Sequence, residues 1–243
     1  MEKYSLDYIV ECINKFCILE DLSEDTWWGN IMEPLKENNC FPDISYVGDA
    51  GVTKCAIIFP DLGYVVKIPF QYSYYGGSGR YTERTNENGE KYETWVPEED
   101  DYVMFSGARN SENDWDYCKV EVELYQSAIT AGMEKYFAKM ERICNKEYPI
   151  YYQPLCKMFE SYERNTTNEK EDEVHREYST LKNDLDCALS PFWVKDFIET
   201  YGLDEYNALI KFCEDYSIQD FHCGNIGYIN EKPVIVDYGS FWD

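Results

Sequence analysis

Histidine is nearly absent from this 243-residue sequence, with His175 and His222 its sole members. No two of its ten cysteines stand as C-x-x-C. Together these shortages argue against zinc, which takes clustered Cys and His ligands. Long apolar runs are missing as well. None approaches the roughly 18 residues of a membrane-spanning helix, and the N-terminus lacks the basic start and apolar stretch of a leader. The expectation is a soluble, cytoplasmic chain whose cysteines are reduced thiols, mostly small core hydrophobes. Basic residues are scarce, with 22 Lys and Arg against 47 Asp and Glu, for a net charge of -25. Such a chain repels phosphate backbones and anionic lipid, so no nucleic acid and no membrane is expected as a partner. The acidity reads as a solubilising surface. Mimicry of nucleic acid in another protein's basic groove is the alternative, and no ordered ladder of carboxylates supports it.

What is abundant is aromatic: 23 Tyr, 12 Phe and 6 Trp, too many for a disordered chain. Residues 4–19 place Tyr8, Ile9, Ile13, Phe16 and Cys17 at helical spacing. A further turn or two of helix is expected over Trp27–Glu37, with Pro34 marking a break. Short strands follow at 44–46, 52–59 and 64–70, separated by Gly48-Asp49-Ala50-Gly51 and Pro60-Asp61-Leu62-Gly63, which reads as an antiparallel meander. Residues 71–115 form a long polar excursion, with a hairpin expected around Glu87-Asn88-Gly89-Glu90. A helix is expected over 117–130, stopped near Gly132, then strands at 136–143 and 149–159. The charged stretch 163–173 reads as a linker or mobile loop, and helices are expected at 174–189, 191–200 and 203–215. Short strands at 226–229 and 233–236 complete the pattern, and there is no internal repeat.

The residues that carry chemistry are Asp220-Phe-His-Cys-Gly-Asn225-Ile-Gly and, after a short hairpin, Pro233-Val-Ile-Val-Asp237-Tyr-Gly239. Phosphoryl transfer needs a carboxylate to orient the attacking hydroxyl and oxygen ligands for Mg²⁺. An Asp and an Asn on one loop can divide those tasks, and a hairpin can return Asp237 beside them. Mg²⁺ prefers such hard oxygen ligands and keeps several waters. Val65-Val66-Lys67-Ile68-Pro69 sets one lysine inside an apolar strand, where its charge needs a partner. Glu121 shares a helix face with Leu124, Tyr125 and Ala128 and is the expected partner, whereas Glu123 falls on the face of Gln126 and Ser127.

In these motifs the sequence resembles the protein-kinase-like superfamily, and its Asp-x-His-x-Gly-Asn form looks more like the aminoglycoside and choline kinase branch than like protein kinases. The resemblance covers about residues 44–243. It implies an α+β, two-lobed protein-kinase-like fold: a helical extension over 1–40 that braces the lobes, an N-lobe over 41–157 with an antiparallel sheet, a helix and the 71–115 insertion, and a truncated, mainly helical C-lobe over 158–243. It implies ATP and Mg²⁺ as cofactors and phosphoryl transfer to an acceptor, with a small molecule favoured over a protein. Asp220 would orient the acceptor hydroxyl, Lys67 and Glu121 would position the phosphates, and Asn225 and Asp237 would hold the metal. Gly48, Gly51 and Val52 would occupy the phosphate-covering loop, although they depart from the full Gly-x-Gly-x-x-Gly pattern. The backbone of Gln153-Pro154-Leu155-Cys156 would meet the adenine, chiefly at Gln153 and Leu155. His222 would pack or hydrogen-bond within the loop. Ile218-Gln219 replaces the His-Arg of protein kinases, and the sequence stops at Asp243, four residues after Gly239. The expectation is therefore no activation segment, and a substrate platform supplied, if at all, by a protein partner or self-association. A non-catalytic nucleotide-binding pseudokinase, or an acidic interaction or inhibitor protein, is the alternative reading.

Overall fold

Ser5 accepts a hydrogen bond from the Tyr8 N–H at 3.3 Å and caps helix α1 (Leu6–Phe16), which buries Ile9, Cys12 and Ile13. The computed structural model describes residues 4–20, 22–71, 73–76, 79–85, 91–97, 102–105, 116–144, 148–159, 168–179 and 189–239. A π-helical turn over Trp28–Met32 runs into α2 (Glu33–Glu37). Pro34 does not break this segment, contrary to expectation. It sits in the first turn of α2, where a missing N–H leaves nothing unpaired, and marks the change from π to α winding.

Five strands form an antiparallel sheet in the order β1-β2-β3-β9-β8, from β1 (Val47–Ala50), β2 (Lys54–Phe59), β3 (Tyr64–Pro69), β9 (Ile150–Pro154) and β8 (Glu141–Cys144). Gly48-Asp49-Ala50 is thus strand rather than turn, because Val47–Ala50 pairs along its length with Cys55–Ile58. The expected strand at 44–46 is not formed. Strand alternation gives the two faces of β2 and β3 opposite duties. Cys55, Ile57 and Phe59 with Val66 and Ile68 face the N-terminal segment and share one core with Ile9, Ile13, Ile31, Met32 and Leu35. The other face carries Lys54, Ala56, Val65 and Lys67 and borders a cleft.

The excursion contributes β4 (Ser73–Gly76) paired with β7 (Tyr102–Phe105), and β5 (Gly79–Thr85) paired with β6 (Lys91–Pro97). The turn expected at Glu87–Glu90 lies outside the described residues. Helix α3 (Tyr117–Ala131) starts at Asp116, whose carboxylate accepts from the Lys119 N–H at 3.1 Å. It ends at Gly132, whose φ of +71° closes the left-handed cap for which glycine is suited. The predicted strand at 136–143 is shorter than expected. A 3₁₀ turn over Glu134–Tyr136 comes first, Phe137 makes a lone parallel bridge to Ile235, and pairing starts at Glu141.

β10 (Lys157–Met158) joins β11 (Ile226–Ile229) and β12 (Lys232–Ile235) in a three-stranded sheet. The charged stretch expected as a loop to 173 is helical from Asn168, as α4 (Asn168–Tyr178). Glu, Lys and Arg favour helix without any apolar stripe, and His175 docks edge-on to Phe192 at 5.5 Å. Helices α5 (Pro191–Tyr201) and α6 (Leu203–Asp215) bury Trp193, Phe197, Leu209 and Phe212 in a second core. Helix α3, grouped with the sheet in the sequence reading, sends Cys118, Leu124 and Ala128 into this second core. The described residues are thus α+β, with an antiparallel five-stranded sheet and several helices. No described helix is long and apolar enough to cross a membrane.

The β11–β12 turn holds Asn230 at φ +50° and Glu231 at φ +65°. Such a two-residue hairpin favours Asn followed by Gly, because a Cβ in the left-handed region costs about 1–2 kcal/mol. Glu231→Gly should therefore raise the urea midpoint, by about 1 kcal/mol of stability, with the slope of the transition unchanged. A lower midpoint would show that the Glu231 side chain outweighs its backbone strain.

Candidate functional site

The cleft has a volume of about 550 Å³ and is bordered by the β1–β2 turn, β2, β3, the 153–156 segment, the 220–225 loop and the strand end at 236–239. That size suits a small-molecule site. Its apolar wall includes Ala56, Ile58, Val65, Leu155, Met158 and Val236.

Lys67 lies on β3, opposite Ala56 of β2, and is buried. Its Nζ stands 3.4 Å from Glu121 Oε2. Glu121 itself is fully buried on α3, while Glu123 is exposed, as the helical spacing implied. The sequence reading did not include Lys54, which also pairs here. Its Nζ bonds Glu121 Oε1 and lies 2.8 Å from Asp237 Oδ1. The signal was there: if Pro60–Gly63 turns the β2–β3 hairpin, then Ile58 faces Val65, and counting away from the turn in twos puts Lys54 and Lys67 on one face as diagonal neighbours.

Four charged groups thus meet where water is scarce. Burial, and then the nearby Asp237 charge, pushes the Glu121 carboxyl up to about 7 against the pull of Lys54 and Lys67. Burial alone would also raise Asp237. Lys54, followed by Lys67, overrules it and holds Asp237 well below the usual carboxylate range. Its side chain is 29% exposed toward the cleft, so solvent moderates that pull. Burial penalises the Lys54 ammonium, yet Asp237 and Glu121 together hold it well above the usual lysine range. Gly239 packs on the same helix, where a Cβ would stand 3.2 Å from Glu121 Cγ.

The 220–225 loop is tied to Asp237 through the backbone. The Asn225 carbonyl accepts from the Val236 N–H at 2.8 Å and from the Asp237 N–H at 3.4 Å. Asn225 is buried and donates its side-chain N–H to the Asp220 carbonyl at 2.8 Å, which leaves the amide oxygen as its other polar atom. His222 Nδ1 accepts from the Gly224 N–H at 3.0 Å, so the ring proton is on Nε2, 3.6 Å from Asp220 Oδ2. Tyr238 has no part in the cleft chemistry. Its hydroxyl donates to the Ala138 carbonyl at 2.8 Å in the core.

Comparison with known families, curated proteins and solved structures yields no match.

The site is therefore read from its own geometry. Asp220, Asn225, Asp237 and Lys67 border one cleft, with Glu121 behind them. Gly51 and Val52 border it too, while Gly48 does not. A Cβ on Gly48 would stand 2.7 Å from Met32 Sδ, so this glycine makes room for the N-terminal segment and not for a phosphate. Leu155 also borders the cleft, but its N–H donates to the Gly63 carbonyl at 2.9 Å and is not free to meet a base. Gln153 donates its side-chain N–H to the Val236 carbonyl at 2.7 Å. Antiparallel alternation turns the next backbone groups, the Pro154 carbonyl and the Cys156 N–H, away from β3. The Pro154 carbonyl accepts from the Cys156 thiol at 3.4 Å.

The donor set suits one kind of metal. The described residues hold no cluster of three His, Cys, Asp or Glu. One carboxylate and one amide oxygen, from Asp237 and Asn225, fit Mg²⁺, which takes its remaining ligands from phosphates and water.

Proposed function

We propose that this chain has a two-lobed, protein-kinase-like architecture and transfers a phosphoryl group from Mg-ATP to an acceptor hydroxyl. The observation that carries this reading is the convergence on one cleft of Asp220, Asn225 and Asp237 with the Lys67–Glu121 pair, which stands 54 residues apart in sequence. Lys67, held by Glu121, would bind the phosphates. Asp220 Oδ would accept a hydrogen bond from the acceptor hydroxyl and keep it aimed. Asn225 Oδ1 and the Asp237 carboxylate would hold Mg²⁺, which supplies neutralisation of charge on the transferring phosphate. The loop hydrogen bonds from Gly224 to His222 and from Asn225 to Asp220 fix these positions before substrate arrives.

A second reading, nucleotide binding without transfer, is favoured by one contact: the Lys54 ammonium already engages one Asp237 oxygen. Binding is tested first. Mg-ATP at a hundred times its dissociation constant should stabilise the protein by about 2.7 kcal/mol, read as a rise in Tm. No rise at millimolar Mg-ATP would count against the site.

A further inference from the structure

We propose that Lys54 is a built-in cation of the phosphate site, allowing the chain to bind the polyphosphate of a nucleoside triphosphate without a divalent ion. The inference rests on the nucleotide reading of the cleft and goes beyond it. Lys54 is buried, and its side chain is 8% exposed, so its charge acts on the cleft with little screening by water. It borders the cleft beside Lys67, on the same face of the sheet. An ammonium has three N–H donors. Two are engaged, by Glu121 and Asp237, and the third is available to a phosphate oxygen.

In the buried cluster Lys54 and Lys67 oppose Glu121 and Asp237, while Asp49 and Asp220 add further acid to the cleft wall. Without Lys54 the cleft would be more negative by one charge, and a polyanion would need another cation to enter. Here the ammonium is 2.8 Å from the carboxylate oxygen that a divalent ion would otherwise use. Mg²⁺ alone should therefore bind poorly, since it would be set close to a fixed positive charge. Phosphates entering the cleft add the negative charge that lets both cations remain.

The test is isothermal titration of the full chain with ATP, in Mg²⁺ and separately in EDTA, and with Mg²⁺ alone. Wild type should bind ATP in EDTA within about threefold of its affinity in Mg²⁺. Lys54→Gln should lose about tenfold or more in EDTA, the scale of one charged hydrogen bond, and recover to within about threefold of wild type in Mg²⁺. Lys54→Arg should keep metal-free binding. Wild-type binding present in Mg²⁺ but abolished in EDTA overturns the proposal whether or not Lys54→Gln folds. So does a Lys54→Gln variant, folded by circular dichroism, that loses equally in both buffers. Absence of ATP binding in both buffers for wild type removes the nucleotide reading itself, and the role of Lys54 with it.

Discussion

Glu121→Ala is expected to destabilise the fold by about 3–5 kcal/mol, the usual cost of removing one partner from a buried ion pair. Glu121 is fully buried and is the shared partner of two buried lysines, so alanine removes a carboxylate from both ammonium groups at once. Asp237 can answer for Lys54 alone, since it is the second carboxylate that Lys54 reaches. For a chain of this size the loss should lower Tm by roughly 6–20 °C. Glu123→Ala, two residues away and exposed, should stay within about 0.5 kcal/mol of wild type. Equal stability of the two variants would mean that the buried lysines find other partners, and the charge cluster would lose its structural role.

Asp220→Asn should reduce phosphoryl transfer by roughly 10²–10⁴-fold, the range for removing a group that handles the reacting proton. The substitution keeps shape and leaves the Asp220 carbonyl free to accept from Asn225, so the loop should hold. Asp220 is not one of the groups assigned to phosphate or metal, so ATP affinity should change by less than about threefold. Labelled-ATP turnover against a panel of hydroxyl acceptors reads the first effect, and titration calorimetry reads the second. Turnover equal to wild type would remove Asp220 from the reaction. Loss of ATP binding would instead mark it as a binding residue.

The parts of this site that the sequence displayed are those set by local periodicity. Glu121 declared itself because Leu124, Tyr125 and Ala128 fall on its face of one helix, and α3 formed over nearly the expected span. The β2–β3 hairpin was legible from its turn residues for the same reason. What was hidden depends on pairing between distant segments. Val47–Ala50 contains Gly and Asp and looks like a turn, yet β2 supplies a partner along its whole length and makes it a strand. The Leu155 N–H looked available because nothing nearby in sequence claims it, whereas Gly63, 92 positions earlier, does. Lys54 was overlooked for a different reason. It stands at the first position of its strand, where a charge normally reaches water, and only the register of the hairpin shows that it turns inward. Helix α4 is expected from 174 but starts at Asn168, and its first turns show no apolar periodicity in the sequence to mark them.

The span between Lys54 and its last partner has a consequence for how the protein is made. Glu121 follows Lys54 by 67 residues and Asp237 by 183. At about 5–20 residues per second on a ribosome, the second carboxylate is synthesised roughly 10–40 s after the lysine. Until then the cleft-side face of β2 and β3 carries two ammonium groups with one acid between them. The emerging sheet can bury its N-terminal face against α1 and α2 early, but its other face must stay hydrated until the final strand is translated. Ribosome-bound chains halted before Asp237 would thus present an open, cationic surface on an otherwise acidic protein, a form that chaperones would meet and the finished molecule would conceal.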